Sequence, residues 1–303
     1  MAQKRVAAVV VTFNRAPKLK KVLESLNLQT RRPDRIYVID NASTDNTRDV
    51  VDALENPDIR YLRLSENLGG AGGFNFGMKA AYADGFDLLW ISDDDAYPHE
   101  DALEKLITSL EVFAEKTTHW PSFACSAVKF TDGSWCEMNT PTTTWDWPRH
   151  YTPDAPYFLV GSCSFVSVLI PRWAVREHGF PIKDYFIWYD DAEYTQRLAR
   201  SYPGIFVPDS IVTHDTGVNM GVNYGMITDA NIWKFKFGAR NETCFRLREK
   251  GLVGVLSFAY SVRQQMKAGN VSIKTRFTIY NQIIKGCWFR PKIEPIIAKD
   301  TAI

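Results

Sequence analysis

The chain has 303 residues, 45% hydrophobic and 23% charged, the size and balance of an ordinary soluble globular protein with one large α/β domain, or one domain and an extension. Its 36 Lys and Arg against 35 Asp and Glu exclude a nucleic-acid binder as a whole. The charge is unevenly spread: from Ile232 onward 14 bases face four acids, near +10, which leaves the rest near −9 and suggests an anionic surface as partner for the tail. Five scattered cysteines without a CxxC pair indicate reduced thiols and a cytosolic setting. The apolar run Val6 to Val11 is too short for a signal peptide, and no run approaches the ~20 apolar residues of a membrane span, so a soluble or peripheral protein is expected.

Val6 to Phe13 is a β-branched run of the kind found in a buried parallel strand. Pro17 to Gln29 repeats Leu19, Val22, Leu23 and Leu26 at helical spacing. Arg35 to Asp40 predicts a second strand, Thr44 to Leu54 a helix capped by Ser43 or Thr44, and Ile59 to Leu64 a third strand. A helix over Gly77 to Asp84, a strand over Phe86 to Ser92 and a helix over Asp101 to Lys116 follow. This alternation predicts a doubly wound, mainly parallel sheet with helices on both faces. Thr117 to Pro156, rich in Thr, Trp and Pro, reads as strands and long loops covering a site; Trp145-Asp146-Trp147 within it suits packing or an acceptor platform equally. Phe158 to Ile170 reads as one strand, Trp173 to His178 as a short helix, Asp191 to Ser201 as a helix, and Ile205 to Thr213 as the last core strand. Helices are expected from Asn231 on, giving a domain over 1–230 and a helical, basic extension over 231–303.

In such sheets ligands bind beyond the carboxyl ends of the strands. Polar residues follow each strand here: Thr12-Phe13-Asn14-Arg15, Asp40-Asn41-Ala42-Ser43 and Asp93-Asp94-Asp95. Three adjacent carboxylates ending a buried strand repel one another and lose hydration, so a positive partner is expected. An Asp-x-Asp offers hard oxygen ligands to Mg²⁺ or Mn²⁺, which neutralises a diphosphate. A solvated turn or helix start is the plain alternative. A second acidic cluster, Asp190-Asp191-Ala192-Glu193, opens a helix behind Trp188 and Tyr189, and His214 ends another strand. Together these supply metal ligands and a general base.

With these residues in view, the chain resembles the family 2 glycosyltransferases of GT-A fold over at least Val6 to His214. The resemblance rests on Val10-Val11-Thr12-Phe13-Asn14-Arg15, Val38-Ile39-Asp40-Asn41-Ala42-Ser43-Thr44-Asp45, Glu66-Asn67-Leu68-Gly69-Gly70-Ala71-Gly72-Gly73-Phe74, the Asp93 triplet and Asp190-Asp191. Within the family, the Asn67 to Phe74 and Trp188 to Tyr194 stretches are most similar to bacterial galactofuranosyltransferases, with rhamnosyltransferases as close relatives. The resemblance implies that Thr12, Phe13 and Arg15 hold the nucleoside and that Asp40 accepts from base or ribose. It implies a loop of Asn67, Gly69 and Gly70 beneath the ribose and sugar, and Asp93 and Asp94 at the donor. Asp93, Asp95 and His214 would hold Mn²⁺ or Mg²⁺, and Asp191 would deprotonate an acceptor hydroxyl for a single inverting displacement. Asp190 and Glu193 would hold acceptor hydroxyls, and Trp188 and Tyr189 would offer flat faces to a sugar. The implied partners are a nucleotide-diphosphate sugar, UDP-galactofuranose first and dTDP-rhamnose as alternative, and a lipid-linked or polysaccharide acceptor. The implied place is the cytoplasm, at the inner face of the membrane.

The Gln-x-x-Arg-Trp pattern of processive synthases is missing, so one or a few additions are expected. A dinucleotide reading of Gly69 to Gly73 fails, because G-x-G-x-x-G from Gly70 needs glycine where Asn75 stands. A structural turn remains the alternative for those glycines. His99, His119, His150 and His178 have no comparable context. A non-catalytic nucleotide-sugar-binding protein would be expected to lose the base or the Asp-x-Asp, and a nucleotidyltransferase would need a basic glycine-rich loop at the first strand. In the tail, Trp233, Phe235, Phe237, Phe245 and Leu247 interleave with Lys234, Lys236, Arg240, Arg246 and Arg248, which suits an interfacial helix on anionic lipid, with homo-oligomer packing as the competing explanation.

Overall fold

The computed structural model describes residues 3–296; Lys299, Asp300 and the rest of 297–303, part of the basic tail, lie outside the described residues. In chain order the elements are β1 (Val6–Thr12), α1 (Ala16–Asn27), β2 (Arg35–Asp40), α2 (Thr47–Asp52), β3 (Ile59–Arg63), α3 (Gly69–Ala83), β4 (Leu88–Asp93), β5 (Ala96–Pro98) and α4 (Ala102–Thr117). They continue with β6 (Ala124–Phe130), β7 (Thr142–Thr143), β8 (Phe158–Ser162), β9 (Val168–Pro171), α5 (Arg172–His178), α6 (Asp190–Leu198), β10 (Gly204–His214), α7 (Ile232–Ala268) and α8 (Ile273–Trp288). The sheet order is β3-β2-β1-β4-β9-β6-β10-β8-β7, with β5 against β10. β3, β2, β1 and β4 are parallel, as are β6 and β10; β9 runs antiparallel between β4 and β6.

Side-chain alternation along β1 sorts the core into two layers. Val6, Ala8 and Val10 pack on Leu19, Val22, Leu23 and Leu26 of α1 and on Leu103, Leu106 and Leu110 of α4. Ala7, Val9 and Val11 face Phe74, Met78 and Ala81 of α3, a layer that also takes in Tyr194 and Leu198 of α6. With both faces covered, β1 is buried along its whole length, and its polar successors emerge at the carboxyl edge of the sheet.

Three elements depart from the sequence expectation for physical reasons. α3 begins at Gly69 rather than Gly77, in spite of four glycines in its first five residues. Close packing outweighs their poor propensity: a Cβ on Gly73 would sit 2.4 Å from Val11 Cγ1. The expected strand over Phe158 to Ile170 is two strands, β8 beside β10 and β9 between β4 and β6. β6, in the stretch expected to form strands and loops over the site, is an interior strand of the sheet between β9 and β10. Its buried Ser126 hydroxyl lies 2.7 Å from Ser167 Oγ and 2.8 Å from Ser210 Oγ, and Ser167 in turn accepts from the Trp90 indole. Among the described residues all five cysteines are free, and no helix is long and apolar enough to cross a membrane.

Candidate active site at the carboxyl edge of the sheet

β4 delivers the Asp93 triplet and β10 delivers His214 to the same corner, where β5 pairs with β10 and places Ala96 opposite His214. One carboxylate oxygen each from Asp93 and Asp95 and one imidazole nitrogen of His214 lie within 4.8 Å of one another. His214 Nε2 is 3.1 Å from Asp95 Oδ1, and Nδ1 is 2.8 Å from Asn139 Oδ1, so Asn139 orients the ring from behind. Two carboxylates and an imidazole are a hard-to-borderline donor set that fits Mn²⁺ or Mg²⁺.

Part of the positive partner for the triplet is supplied by the chain. Arg15 Nη1 lies 3.0 Å from Asp94 Oδ1 and 2.7 Å from Asp95 Oδ2, and Lys18 Nζ is 3.8 Å from the latter. Thr12 donates to the other oxygen of Asp94 at 2.7 Å. Burial alone would raise Asp95, but the hydrogen bond and charge of His214, with Arg15 and Lys18, hold it below the usual carboxylate range. Burial raises Asp94. Asp93 forms no salt bridge among the described residues; burial, then the charges of Asp95, Asp94 and Asp190, push it well up. Asp93 is therefore the triplet member that most needs an added cation.

Two clefts meet at this edge. The first, about 240 Å³, is lined by Thr12, Phe13, Arg15, Asn67, Gly69, Gly70, Asp93 and Asp94, which brings together eight of the residues expected at the donor. Phe13 is 40% exposed there, a face open for stacking. Asn67 Oδ1 accepts from Gly69 N at 2.8 Å, and Asn41 Nδ2 donates to Gly69 O, which shapes the start of α3 as a wall of the cleft. Asp40 is not brought to the cleft. It is fully buried, and its carboxylate accepts from Ser43 N, the Tyr61 hydroxyl and Arg63, which makes it a brace of the strand end.

The second cleft, about 370 Å³, is lined by Asp191, Trp188 and Tyr189 together with Ser162, Ser164, Tyr224 and Glu242. Asp191 stands in the first turn of α6; its Oδ1 accepts from Ala192 N at 2.7 Å, and burial raises its pKa. Asp190 is buried outside the cleft lining, and burial, then the charge of Asp191, pushes it up to about 8. Glu193 is also turned away: Arg197 grips both its oxygens at 2.9 and 3.0 Å inside the fold. The acceptor contact expected of Glu193 is replaced by a buried ion pair.

The segment 186–189 divides the clefts. Phe186 and Ile187 line the first, Trp188 and Tyr189 the second. Phe186, Trp188 and Tyr189 all have positive φ, at 65°, 66° and 70°, an unfavourable backbone for bulky residues. Gly69 accommodates the segment, since a Cβ there would lie 2.0 Å from Phe186 O. From the other side, the buried amide of Asn241 on α7 donates to Tyr185 O, Ile187 O and Trp188 O at 2.8, 3.0 and 3.0 Å. Phe237 stacks on Phe186, Phe235 meets Trp188 edge-on, and Phe245 packs on Tyr189.

Comparison with known proteins gives this edge its relatives. Residues 7–131 match the family model described as "Glycosyl transferase family 2". Over that stretch the chain is similar to the family 2 glycosyl transferases. Its curated relatives include Galactofuranosyltransferase GlfT1 of Mycobacterium tuberculosis, 42% identical over 113 residues, which are 37% of this chain and 36% of that protein. The aligned part thus spans about a third of that relative's length. The N-acetylglucosaminyl-diphospho-decaprenol L-rhamnosyltransferase of the same organism is 24% identical over 241 residues, 70% of this chain and 76% of the relative. Among solved structures, GalNAc-T7 with UDP, GalNAc and Mn2+ superposes with a TM-score of 0.53 and 17% identity, over 70% of this chain and 43% of the other, a likeness of fold.

The matched stretch contains the part of the first cleft from Thr12 to Asp94, together with Asp95, whereas Phe186, Ile187, Trp233 and Lys234 of that cleft lie beyond residue 131, as do Asp191, His214 and α7. Sequence reasoning missed Lys18, Asn139, Asn241 and Glu242 at this edge, placed Lys234 in the tail, and gave Asn41 no role of its own. Asn41 had a signal, as the residue after the β2 aspartate. Asn139 and Asn241 had none, because isolated amides in polar stretches declare a role only through distant partners.

Proposed function

We propose that the protein is an inverting, divalent-metal-dependent glycosyltransferase that moves a sugar from a nucleoside diphosphate to an acceptor hydroxyl. The observation that carries this reading is the partition by 186–189: a cleft bearing Asp93 and Asp94 on one side, and a cleft bearing Asp191 on the other. Phe13 stacks on the base, while Asn67, Gly69 and Gly70 bound the ribose and sugar. Asp93, Asp95 and His214 would hold the cation, which would supply charge neutralisation for the diphosphate. Asp191, through the oxygen not held by Ala192 N, takes the proton of the acceptor hydroxyl as that oxygen bonds to the anomeric carbon and the bond to the diphosphate breaks. With base and leaving group on opposite sides, the anomeric centre inverts.

The relatives favour galactofuranose from UDP-galactofuranose as the donor sugar, with dTDP-rhamnose as the alternative. The diphospho-decaprenol named for the rhamnosyltransferase supports a lipid-linked acceptor; a polysaccharide acceptor in surface-glycan synthesis and a cytoplasmic place in peripheral contact with the inner face of the membrane complete the proposal. The test is calorimetric binding of UDP and dTDP with and without Mn²⁺, followed by turnover of the matching sugar nucleotide. Metal-dependent UDP binding with galactofuranose transfer supports the reading. A preference for dTDP moves the donor to rhamnose, and nucleotide-sugar binding without transfer to any acceptor leaves a binding protein.

A further inference from the structure

The basic, aromatic stretch expected to lie on lipid is occupied inside the fold. Phe235, Phe237 and Phe245 pack on 186–189, Arg240 donates to Asp184 O, Arg246 pairs with Glu242, and Arg248 donates to Pro291 O. The exposed apolar surface lies further along. Gly251, at φ 61°, breaks α7, and beyond it Leu252, Val253, Leu256 and Tyr260 are 61 to 77% exposed. α8 carries Ile273, Phe277, Ile284 and Trp288, 56 to 72% exposed.

These residues form one surface. The short 269–272 connection makes the second limb of α7, 252–268, and α8 an antiparallel pair; Val255, Phe258, Val262 and Met266 of the limb and Ile279 and Ile283 of α8 are buried in one cluster that also takes in Tyr224, Phe235 and Ala239. Each exposed stripe lies roughly a third of a turn onward from the buried residues of its own helix. In an antiparallel pair, equal offsets of the same hand place both stripes on one face. The charges within 251–288 have a single sign: the sequence there holds Arg263, Lys267, Lys274 and Lys285, an Arg276 that donates to Val271 O and Met266 O, and no acid.

We propose that this face of the α7–α8 hairpin docks on an anionic lipid bilayer, with its apolar stripe in the interfacial region and its lysines and arginines among the headgroups. Charge complementarity selects that occupant. A two-fold pairing of the face with a second copy would bring cations against cations without one acid to offset them. Tyr260, Phe277 and Trp288 supply the aromatic bodies that favour a membrane interface. The inference deepens the peripheral contact in the function proposed above and rests on that reading. It also gives the contact a place: Tyr224, in the wall of the Asp191 cleft, packs on Phe258 of the second limb of α7 with ring centroids 5.8 Å apart. A lipid-borne acceptor would thus reach the Asp191 cleft from the docked surface.

The test is co-sedimentation of the full chain with vesicles of phosphatidylglycerol and phosphatidylcholine, and with phosphatidylcholine alone. Binding is expected to need the anionic lipid and to weaken with salt. Leu256→Glu with Phe277→Glu is expected to cut partitioning at least about tenfold, with circular dichroism and UDP affinity unchanged. Arg263→Glu with Lys267→Glu, which leaves the apolar stripe intact, is expected to abolish the preference for anionic lipid. Equal binding to both vesicle types, or binding undiminished by either double variant, overturns the proposal. So does a dimer in sedimentation velocity that the Leu256/Phe277 variant dissociates while vesicles stay unbound. Transfer to a short, water-soluble acceptor keeps the two readings apart: a variant that loses vesicles and keeps this transfer loses only the docking face. Vesicle binding without transfer by the unaltered chain sinks the enzymatic reading alone.

Discussion

Asn241 Nδ2 lies 3.0 Å from Trp188 O, and the same amide also donates to Tyr185 O and Ile187 O. One side chain of α7 thereby fixes a stretch of backbone with three bulky residues at positive φ, immediately ahead of Asp190 and Asp191. Asn241→Ala removes all three bonds and leaves buried carbonyls unpaired, for a stability loss of about 2–3 kcal/mol in urea unfolding. The Asp191 cleft is expected to suffer more than the nucleotide cleft: kcat falls while the affinity for UDP changes little. An equal loss in both would mean that Asn241 supports the fold as a whole and does not position the segment.

Asp191→Asn keeps the shape of its cleft and removes the base. A fall in kcat of about 10²–10⁴ with UDP binding intact is expected. Burial raises the Asp191 carboxyl in the free protein, so the base form is present above that raised pKa and is lost as pH falls through it. The acid limb of kcat/KM should therefore lie above the ordinary carboxylate range of about 4. An acid limb at that ordinary value, or activity in the asparagine variant, would remove Asp191 from the role.

Much of this edge was readable because strand-end placement is a local property. The β1, β2 and β4 runs, the Asp93 triplet and His214 needed only apolar segments followed by polar residues, and these residues lie together. Pairing is not local, and there the reading erred. Asp40 and Glu193 look as available in sequence as Asp93 and Asp191, yet Arg63 and Arg197 hold them inside the protein. The α7 aromatics looked interfacial for the same reason: their partners at 186–189 lie some fifty residues earlier in the chain. The interior place of β6 was not legible because the strands it pairs with, β9 and β10, come later in the chain.

Glu193→Ala should expose that difference. Breaking the buried pair leaves Arg197 uncompensated among Phe180 O and His178 O, with an expected cost of roughly 3–5 kcal/mol in chemical denaturation. At a temperature where the variant is folded, the KM for acceptor should stay near that of the unaltered chain. A large KM effect with little loss of stability would return Glu193 to the acceptor site.

Asp190 links the site to the stability of the fold. Its pKa is raised to about 8 by burial and by Asp191, and Asp93 is raised by burial and its acidic neighbours. For a carboxyl raised in the folded state, the stabilising contribution is complete below the unfolded pKa of about 4 and is lost as pH rises through the folded value. The melting temperature in chelator should therefore decline between about pH 5 and 8, because folding there must bury a charge that the unfolded chain leaves in water. Asp190→Asn removes one such charge and should raise the melting temperature more at the alkaline end of that window than at the acid end. Mn²⁺ should recover part of the alkaline loss through Asp93, and His214→Ala should reduce that recovery. A melting temperature that is flat with pH in chelator, and indifferent to Asp190→Asn, would show that these carboxyls titrate normally and that the triplet needs no added cation.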